Sequence, residues 1–133
     1  MKMLLFDYRE SEKKFFEKNE FKDIDITFIP EPLNEMSQLT DEMLNETDVI
    51  SVFITSHVCP EVLKKFKNLR VVATRSTGFN HIDVKHCSQN NIAVFNVEQY
   101  GQDSVAQFTF TLILALLLSG VRMLSRHQVT VII

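Results

Sequence analysis

The sequence has 133 residues, of which 45% are hydrophobic and 23% charged, a balance typical of one water-soluble globular domain. The net charge is −3 and Lys and Glu are scattered, so no basic stripe is present for nucleic acid or a charged membrane surface. The chain has two cysteines, and its first acidic residue comes too early for a signal peptide, which predicts a reduced, cytoplasmic protein.

Five short apolar runs predict strands, and segments of helical composition lie between them. The predicted strands are Met3–Phe6, Ile24–Ile29, Val49–Ile54, Leu69–Thr74 and Ile92–Asn96. Runs this apolar favour a parallel sheet covered on both faces, because a sheet with one wet face would alternate apolar and polar residues. With right-handed crossovers, the simplest closure is a flavodoxin-like, doubly wound α/β fold.

Start and stop signals place four short helices between these strands. Ser11 precedes the first, Thr40 begins the segment of the second, and Pro60 suits the first position of the third because its missing N–H is not needed there. Asp83–Asn90 reads as the fourth helix, and Pro30–Leu39 as a loop.

A long apolar helix is predicted from Ser104 to about Arg126, with Ser104 and Gln107 at capping-box spacing. Residues 104–121 carry no charge, but the stretch is barely long enough for a membrane span and is interrupted by polar residues. A helix buried between domains or subunits has the same pattern, so we expect no membrane span and a homodimer. The tail, residues 127–133, is β-branched and suits a strand.

The segment from Arg75 to Asp83 follows the fourth predicted strand, at the sheet edge where open α/β folds bind ligands. Gly78 can present neighbouring N–H groups to a carboxylate or phosphate. We expect Gly78 to have a positive φ or a closely approached backbone, in which case Gly78→Val would cost about 1–3 kcal/mol through strain.

Arg75–Asp83, Ile92–Val97, Tyr100 and the Val-Ala-Gln run at residues 105–107 together resemble the D-isomer-specific 2-hydroxyacid dehydrogenases. Phe6–Lys13 is similar to the start of the D-lactate dehydrogenase branch. The resemblance covers residues 1–126 and implies the first, substrate-side part of a longer, NAD-dependent oxidoreductase. The family reaction transfers a hydride between NAD(H) and a 2-hydroxy or 2-oxo acid such as D-lactate or pyruvate.

The resemblance also implies roles for individual residues. The N–H groups of Thr77 and Gly78 would hold the substrate carboxylate, and Ser76 belongs to the same turn. Phe53 would form an aromatic wall and Tyr100 would line the pocket. Val105 and Ala106 would face the nicotinamide. Gln107 stands in place of the family's usual Glu, and Gln102 in place of its usual Pro.

Residues 1–102 are therefore interpreted as the substrate domain, 103–126 as a connecting and dimerisation helix, and 127–133 as a tail, with the dinucleotide-binding domain absent. The only glycines are Gly78, Gly101 and Gly120, too far apart for a GxGxxG pyrophosphate turn. The family's catalytic Arg, Glu and His fall outside the matched part. We thus expect a truncated dehydrogenase with no catalytic residue, no activity alone and no tight NAD binding.

The remaining candidates for chemistry are weaker. His57, His81, His86 and His127 show no catalytic spacing, and His81, His86 and Cys87 do not match metal-ligand spacings, so no metal site is expected. Arg75 and Asp83 are interpreted as structural groups that bracket the turn. The rival function is a non-catalytic flavodoxin-like module that dimerises through its last helix. A flavin or phosphate binder is a third reading, but the turn after the first strand lacks a Ser, Thr or Gly cluster.

Overall fold

The fold is a parallel five-stranded sheet with intervening helices, seen in a computed structural model that describes residues 1–19, 21, 23–98 and 100–128, with side chains to residue 118. The strands are β1 (Lys2–Phe6), β2 (Asp25–Ile29), β3 (Val49–Val52), β4 (Val71–Thr74) and β5 (Ala93–Phe95). The helices are α1 (Glu10–Lys18), α2 (Asp41–Glu46), α3 (Pro60–Leu63), α4 (Val84–Gln89) and α5 (Gln102–Gln128).

The strand order is β2-β1-β3-β4-β5 and every neighbouring pair is parallel, which is the flavodoxin-like order and confirms the predicted fold class. Leu4 pairs with Ile50, and Ile50 with Val72, so the three central strands meet in apolar rows. Leu5, Ile50 and Val72 are fully buried. The continuous apolar runs therefore fill a core, as expected for parallel strands covered on both faces.

The chain divides into two compact units, residues 1–98 with the whole sheet and residues 99–133 with α5. The boundary lies close to the predicted one at residue 102. No helix among the described residues is long and apolar enough to cross a membrane. The predicted strand in the tail falls mostly on residues 129–133, which lie outside the described residues, while Gln128 belongs to α5.

Two helix starts differ from the prediction. The first helix begins at Glu10 rather than after Ser11, because the Glu12 carboxylate accepts the Arg9 backbone N–H at 2.8 Å and stabilises an earlier first turn. Helix α5 begins at Gln102 rather than at Ser104, since the Val105 N–H already donates to the Gly101 carbonyl at 3.0 Å.

The other helix ends follow their predicted signals. Thr40 caps α2 through its side chain, Asp83 accepts the His86 N–H at 2.8 Å, and Pro60 occupies the first turn of α3. Helix α4 stops in a Schellman motif, in which the Ile92 N–H donates to the Cys87 carbonyl at 2.9 Å and Asn91 has a φ of 57°. The Pro30–Leu39 segment contains no strand or helix and is the predicted loop.

Candidate functional site

The candidate site begins at Arg75, directly after β4, and Arg75 is the most extensively bonded side chain at this edge of the sheet. Its Nε donates to Glu12 Oε1 at 2.8 Å, and its Nη1 donates to Ser51 Oγ at 3.0 Å. Its Nη2 donates to the carbonyls of Phe6 and Asp7, at 2.8 and 2.7 Å. One guanidinium thus ties the ends of β1, β3 and β4 to α1, which confirms a structural role for Arg75.

Asp7 adopts the left-handed φ of 48° at the end of β1, a conformation that non-glycine residues seldom adopt. Arg75 holds its carbonyl, the hydroxyl of Thr55 donates to its carboxylate, and its N–H donates to the Ile29 carbonyl at 3.0 Å. These bonds hold the strained backbone in place, and strain of this kind costs on the order of 1–3 kcal/mol. The sequence gives no sign of it, because the partners come from three distant segments.

Phe53, the predicted aromatic wall, follows β3 and is half-buried. The guanidinium carbons of Arg9 and Arg75 lie 5.8 and 6.0 Å from its ring centroid, both within cation–π range. Both guanidinium groups thus contact the ring, and the charge of Arg75 is balanced by its ion pair with Glu12.

The backbone carbonyls of the next turn residues are all bonded. The Ser76 hydroxyl donates to the Gly78 carbonyl at 2.7 Å, Asn96 Nδ2 to the Thr77 carbonyl at 2.9 Å, and the Val97 N–H to the Ser76 carbonyl at 3.1 Å. Within the described part of the chain, the N–H groups of Thr77 and Gly78 donate to no acceptor. Thr77 is half-buried and Gly78 exposed, so two oriented N–H donors are left accessible to a ligand.

A row of three side chains supports this turn. Thr74 Oγ1 lies 2.7 Å from Ser76 Oγ and 3.1 Å from His81 Nε2, and both hydroxyls are buried. The Ser76 proton is used on the Gly78 carbonyl, so Ser76 Oγ must accept from Thr74, and Thr74 Oγ1 must accept from His81 Nε2–H. Burial lowers the pKa of His81, which agrees with a neutral imidazole in that tautomer.

The expectation for Gly78 itself is wrong. No described glycine has a positive φ, and a Cβ at Gly78 would meet nothing within 4 Å. The left-handed positions are Asp7 and Asn91, whose short polar side chains tolerate them. The turn therefore depends on its bonded carbonyls rather than on glycine geometry, and the predicted strain cost of Gly78→Val has no structural basis.

The remaining predicted site residues belong to the second unit. Tyr100 is 73% exposed, and Val105 and Ala106 are exposed in the first turns of α5. A cavity of about 440 Å³ is found elsewhere in the first unit, around residues 29–39, and none of the predicted substrate residues lines it.

The structure brings together a carboxylate, an imidazole and a thiol that the spacing of these residues in the sequence does not reveal. Single ligand atoms of Glu35, His57 and Cys59 all lie within 4.8 Å of one another. Glu35 and Cys59 are 24 residues apart, so no local motif indicates them. Among the described residues this is the one such group of three.

The flavodoxin-like order, with an accessible pair of N–H donors where β4 ends, defines an α/β domain with a candidate carboxylate-binding turn. Residues 3–130 match the family described as D-isomer specific 2-hydroxyacid dehydrogenase, catalytic domain. The match covers nearly the whole chain, and the chain belongs to this family.

Similar proteins agree with this assignment. The chain is 33% identical over 119 residues to 2-hydroxyacid dehydrogenase homolog 1 of Schizosaccharomyces pombe and 29% identical to a 2-hydroxyacid dehydrogenase homolog of Haemophilus influenzae, in both cases covering 87% of this chain and 35% of the relative. It superposes on D-lactate dehydrogenase from Aquifex aeolicus, crystallised with NAD and lactic acid, with a TM-score of 0.77 and 27% identity. That match covers 98% of this chain and 38% of the Aquifex chain, so the chain spans little more than a third of these proteins.

Removing the Arg75 guanidinium should destabilise the domain strongly. Arg75→Met would leave Glu12, Ser51 and two carbonyls without their partner, and we expect a loss of about 2–4 kcal/mol in the free energy of unfolding. Arg70→Met is the control, since Arg70 is exposed, and should stay within about 0.5 kcal/mol of the parent. Urea unfolding measures both, and equal stabilities for the two variants would contradict the proposed anchoring by Arg75.

Gly78→Ala should not destabilise the protein. The added Cβ meets open space at a backbone that L residues can adopt, and the loss of unfolded-state freedom favours folding by about 0.4–1 kcal/mol. Thermal and urea unfolding of the parent and the variant test this. A loss above about 1 kcal/mol would restore the idea of a glycine-specific turn.

Proposed function

We propose that the chain is the substrate-side part of an NAD-dependent D-2-hydroxyacid dehydrogenase, and that the turn at Thr77 and Gly78 holds the carboxylate of a 2-hydroxy or 2-oxo acid. The observation that carries the proposal is the pair of accessible N–H groups on a turn whose carbonyls are all bonded. Family membership and the likeness to a protein crystallised with NAD and lactic acid support it.

The turn suits a carboxylate for electrostatic reasons. Two N–H donors can each bond one carboxylate oxygen, and charge-assisted bonds of this kind are stronger than neutral ones. Arg9 lies beside Phe53 at the same edge, whereas the charge of Arg75 is paired with Glu12 at 2.8 Å and each of its guanidinium nitrogens has a protein partner. The backbone N–H groups, rather than Arg75, would therefore hold the anion.

The roles of the second unit follow from the family resemblance. We propose that Tyr100 lines the substrate pocket and that Val105 and Ala106 face the nicotinamide, which is the hydride donor or acceptor in the family reaction. These three residues are exposed in the second unit, so their side chains are accessible for such contacts.

We further propose that the 133-residue chain alone binds the acid weakly, does not bind NAD tightly and does not turn over substrate. Its three glycines are too dispersed to form the pyrophosphate turn, and the resemblance assigns the catalytic Arg, Glu and His to a part of the family fold that residues 1–126 do not cover. A cytoplasmic location belongs to the same proposal.

Titration with oxamate or pyruvate, followed by ¹⁵N NMR, tests the carboxylate site. We expect the largest shifts at the Thr77 and Gly78 amides, and much weaker binding of pyruvamide, which lacks the carboxylate. Asn96→Ala should weaken binding, because the Thr77 carbonyl, whose peptide unit carries the Gly78 N–H, loses its partner. Asn90→Ala, at the exposed end of α4, is the control and should bind like the parent.

Shifts elsewhere, or equal binding of the amide analogue, would contradict the carboxylate site. Calorimetry with NADH, and NADH absorbance in the presence of pyruvate, test the rest of the proposal. Tight NADH binding together with pyruvate-dependent absorbance loss would show that the chain is a complete enzyme.

The second candidate is an interaction module that pairs through α5, and the exposure of that helix favours it. Over the described side chains, which end at residue 118, large apolar residues lie on all sides of the helix and include Leu112, Ile113, Leu116 and Leu117, which are 47–73% exposed. At about 25 cal/mol per Å², leaving this surface in water is costly, and a soluble monomer seldom does so. A two-fold pairing is the commonest cover, and we propose a homodimer.

Sedimentation equilibrium tests the pairing. We expect the parent chain to be a dimer at micromolar concentration and Leu116→Glu to be a monomer, because a buried carboxylate in the contact would be unpaired. Met36→Glu is the matched control, since Met36 is 90% exposed in the first unit, and it should remain dimeric. A soluble monomeric parent would rule the homodimer out and leave the carboxylate site untouched.

A further inference from the structure

The cluster of Glu35, His57 and Cys59 combines three different metal-binding side chains. A carboxylate, an imidazole and a thiol are the three groups that bind zinc in proteins. Their ligand atoms lie within 4.8 Å of one another, and Cys59 Sγ is 3.4 Å from Glu35 Oε1. Around zinc, ligand atoms lie roughly 3.2–3.8 Å apart, so the Glu–Cys pair has the required separation, and the exposed His57 ring, whose nitrogen lies within 4.8 Å of both, would have to move closer to complete the set.

The backbone on both sides of the cluster is fixed. The His57 N–H donates to the Leu33 carbonyl at 2.7 Å, and the Leu33 N–H donates to Ser56 Oγ at 3.1 Å. Leu33 itself is buried in the core. The two segments that supply the ligands are thus joined to each other, which lowers the entropy cost of binding an ion between them.

Glu35 lies on an ordered turn of the Pro30–Leu39 loop. The Ser37 hydroxyl accepts the Asn34 N–H at 2.9 Å, Asn34 Oδ1 accepts the Met36 N–H at 2.8 Å, and the Ser37 N–H donates to the Asn34 carbonyl at 3.1 Å. Lys65 Nζ also donates to the Glu35 backbone carbonyl at 2.5 Å. The carboxylate therefore projects from a held backbone.

The charges around Cys59 are mixed. The Cys59 thiol donates to the Glu35 carboxylate at 3.4 Å. The Lys65 ammonium, which donates to the Glu35 backbone carbonyl, supplies the positive charge beside this carboxylate. A divalent ion would replace the thiol proton and would place a net positive charge beside the carboxylates of Glu35 and Glu61.

We propose that Glu35, His57 and Cys59 form a Zn²⁺ site that fastens the Pro30–Leu39 loop to the segment leading into α3. Three protein ligands leave a fourth position for water or for the Glu61 carboxylate. Binding releases the Cys59 proton and forms bonds from Sγ, one imidazole nitrogen and one carboxylate oxygen to the ion, with no change in oxidation state. The site is independent of the proposed carboxylate turn.

Cobalt substitution on the untagged chain tests the site. We expect one equivalent of Co²⁺ to produce a thiolate-to-cobalt charge-transfer band, and one equivalent of Zn²⁺ to remove it. Cys59→Ser should abolish the band. Cys87→Ser is the matched control, because Cys87 is the second buried free cysteine and lies outside the cluster, so its band should persist.

His57→Gln and Glu35→Gln change exposed side chains and should leave the fold intact. Each should lower Zn²⁺ affinity, measured against a competing chelator, by more than about tenfold, because loss of even an outer partner of a ligand costs that much. Absence of the band in the parent overturns the proposal, as does a band that survives Cys59→Ser or unchanged affinity in both exposed variants.

Discussion

The half-buried Arg75 guanidinium is the interaction on which the carboxyl edge of the sheet depends. It joins residues that are far from it in sequence, with Glu12 63 residues and Phe6 69 residues from Arg75. Placing a charge under a sheet edge is costly unless it is paired, and here every guanidinium nitrogen has a protein acceptor. The strained Asp7 and the ring of Phe53 both contact this one side chain, which directly precedes the candidate turn.

The free N–H groups of the turn are a consequence of where its carbonyls are bonded. A peptide unit has two ends, so fixing the carbonyls of Ser76, Thr77 and Gly78 fixes which way the following N–H groups point. The cost of orienting these donors is met during folding and not on binding. An open turn of this kind would orient an anion more than it would strengthen its binding, since an anion that stays exposed also keeps much of its hydration.

Local signals were enough to predict the sheet, because the three central strands are largely apolar runs that supply buried residues, and the edge strands β2 and β5, although only partly buried, keep a strand-like composition. They failed where a distant partner decides. The start of α1 depends on Glu12, whose other oxygen binds Arg75, and the position of Glu35 beside Cys59 depends on a loop that returns to the sheet edge. Gly78 shows the opposite error, since a glycine in a turn predicts a left-handed backbone only when no bonded carbonyl holds an ordinary one.

His81 shows how a residue without a catalytic arrangement can still matter for the site. Its Nε2–H begins the series of donors that passes through Thr74 and Ser76 and ends on the Gly78 carbonyl. Each hydroxyl has a single proton, so the direction of the whole series is set by the histidine tautomer. Because partial burial lowers the pKa of His81, acid must charge a partly desolvated ring, and the stability lost between its unfolded pKa, about 6.5, and its lower folded pKa is an effect on folding. The added proton goes to Nδ1 and leaves Nε2–H in place, so the turn keeps its orientation for as long as the domain stays folded.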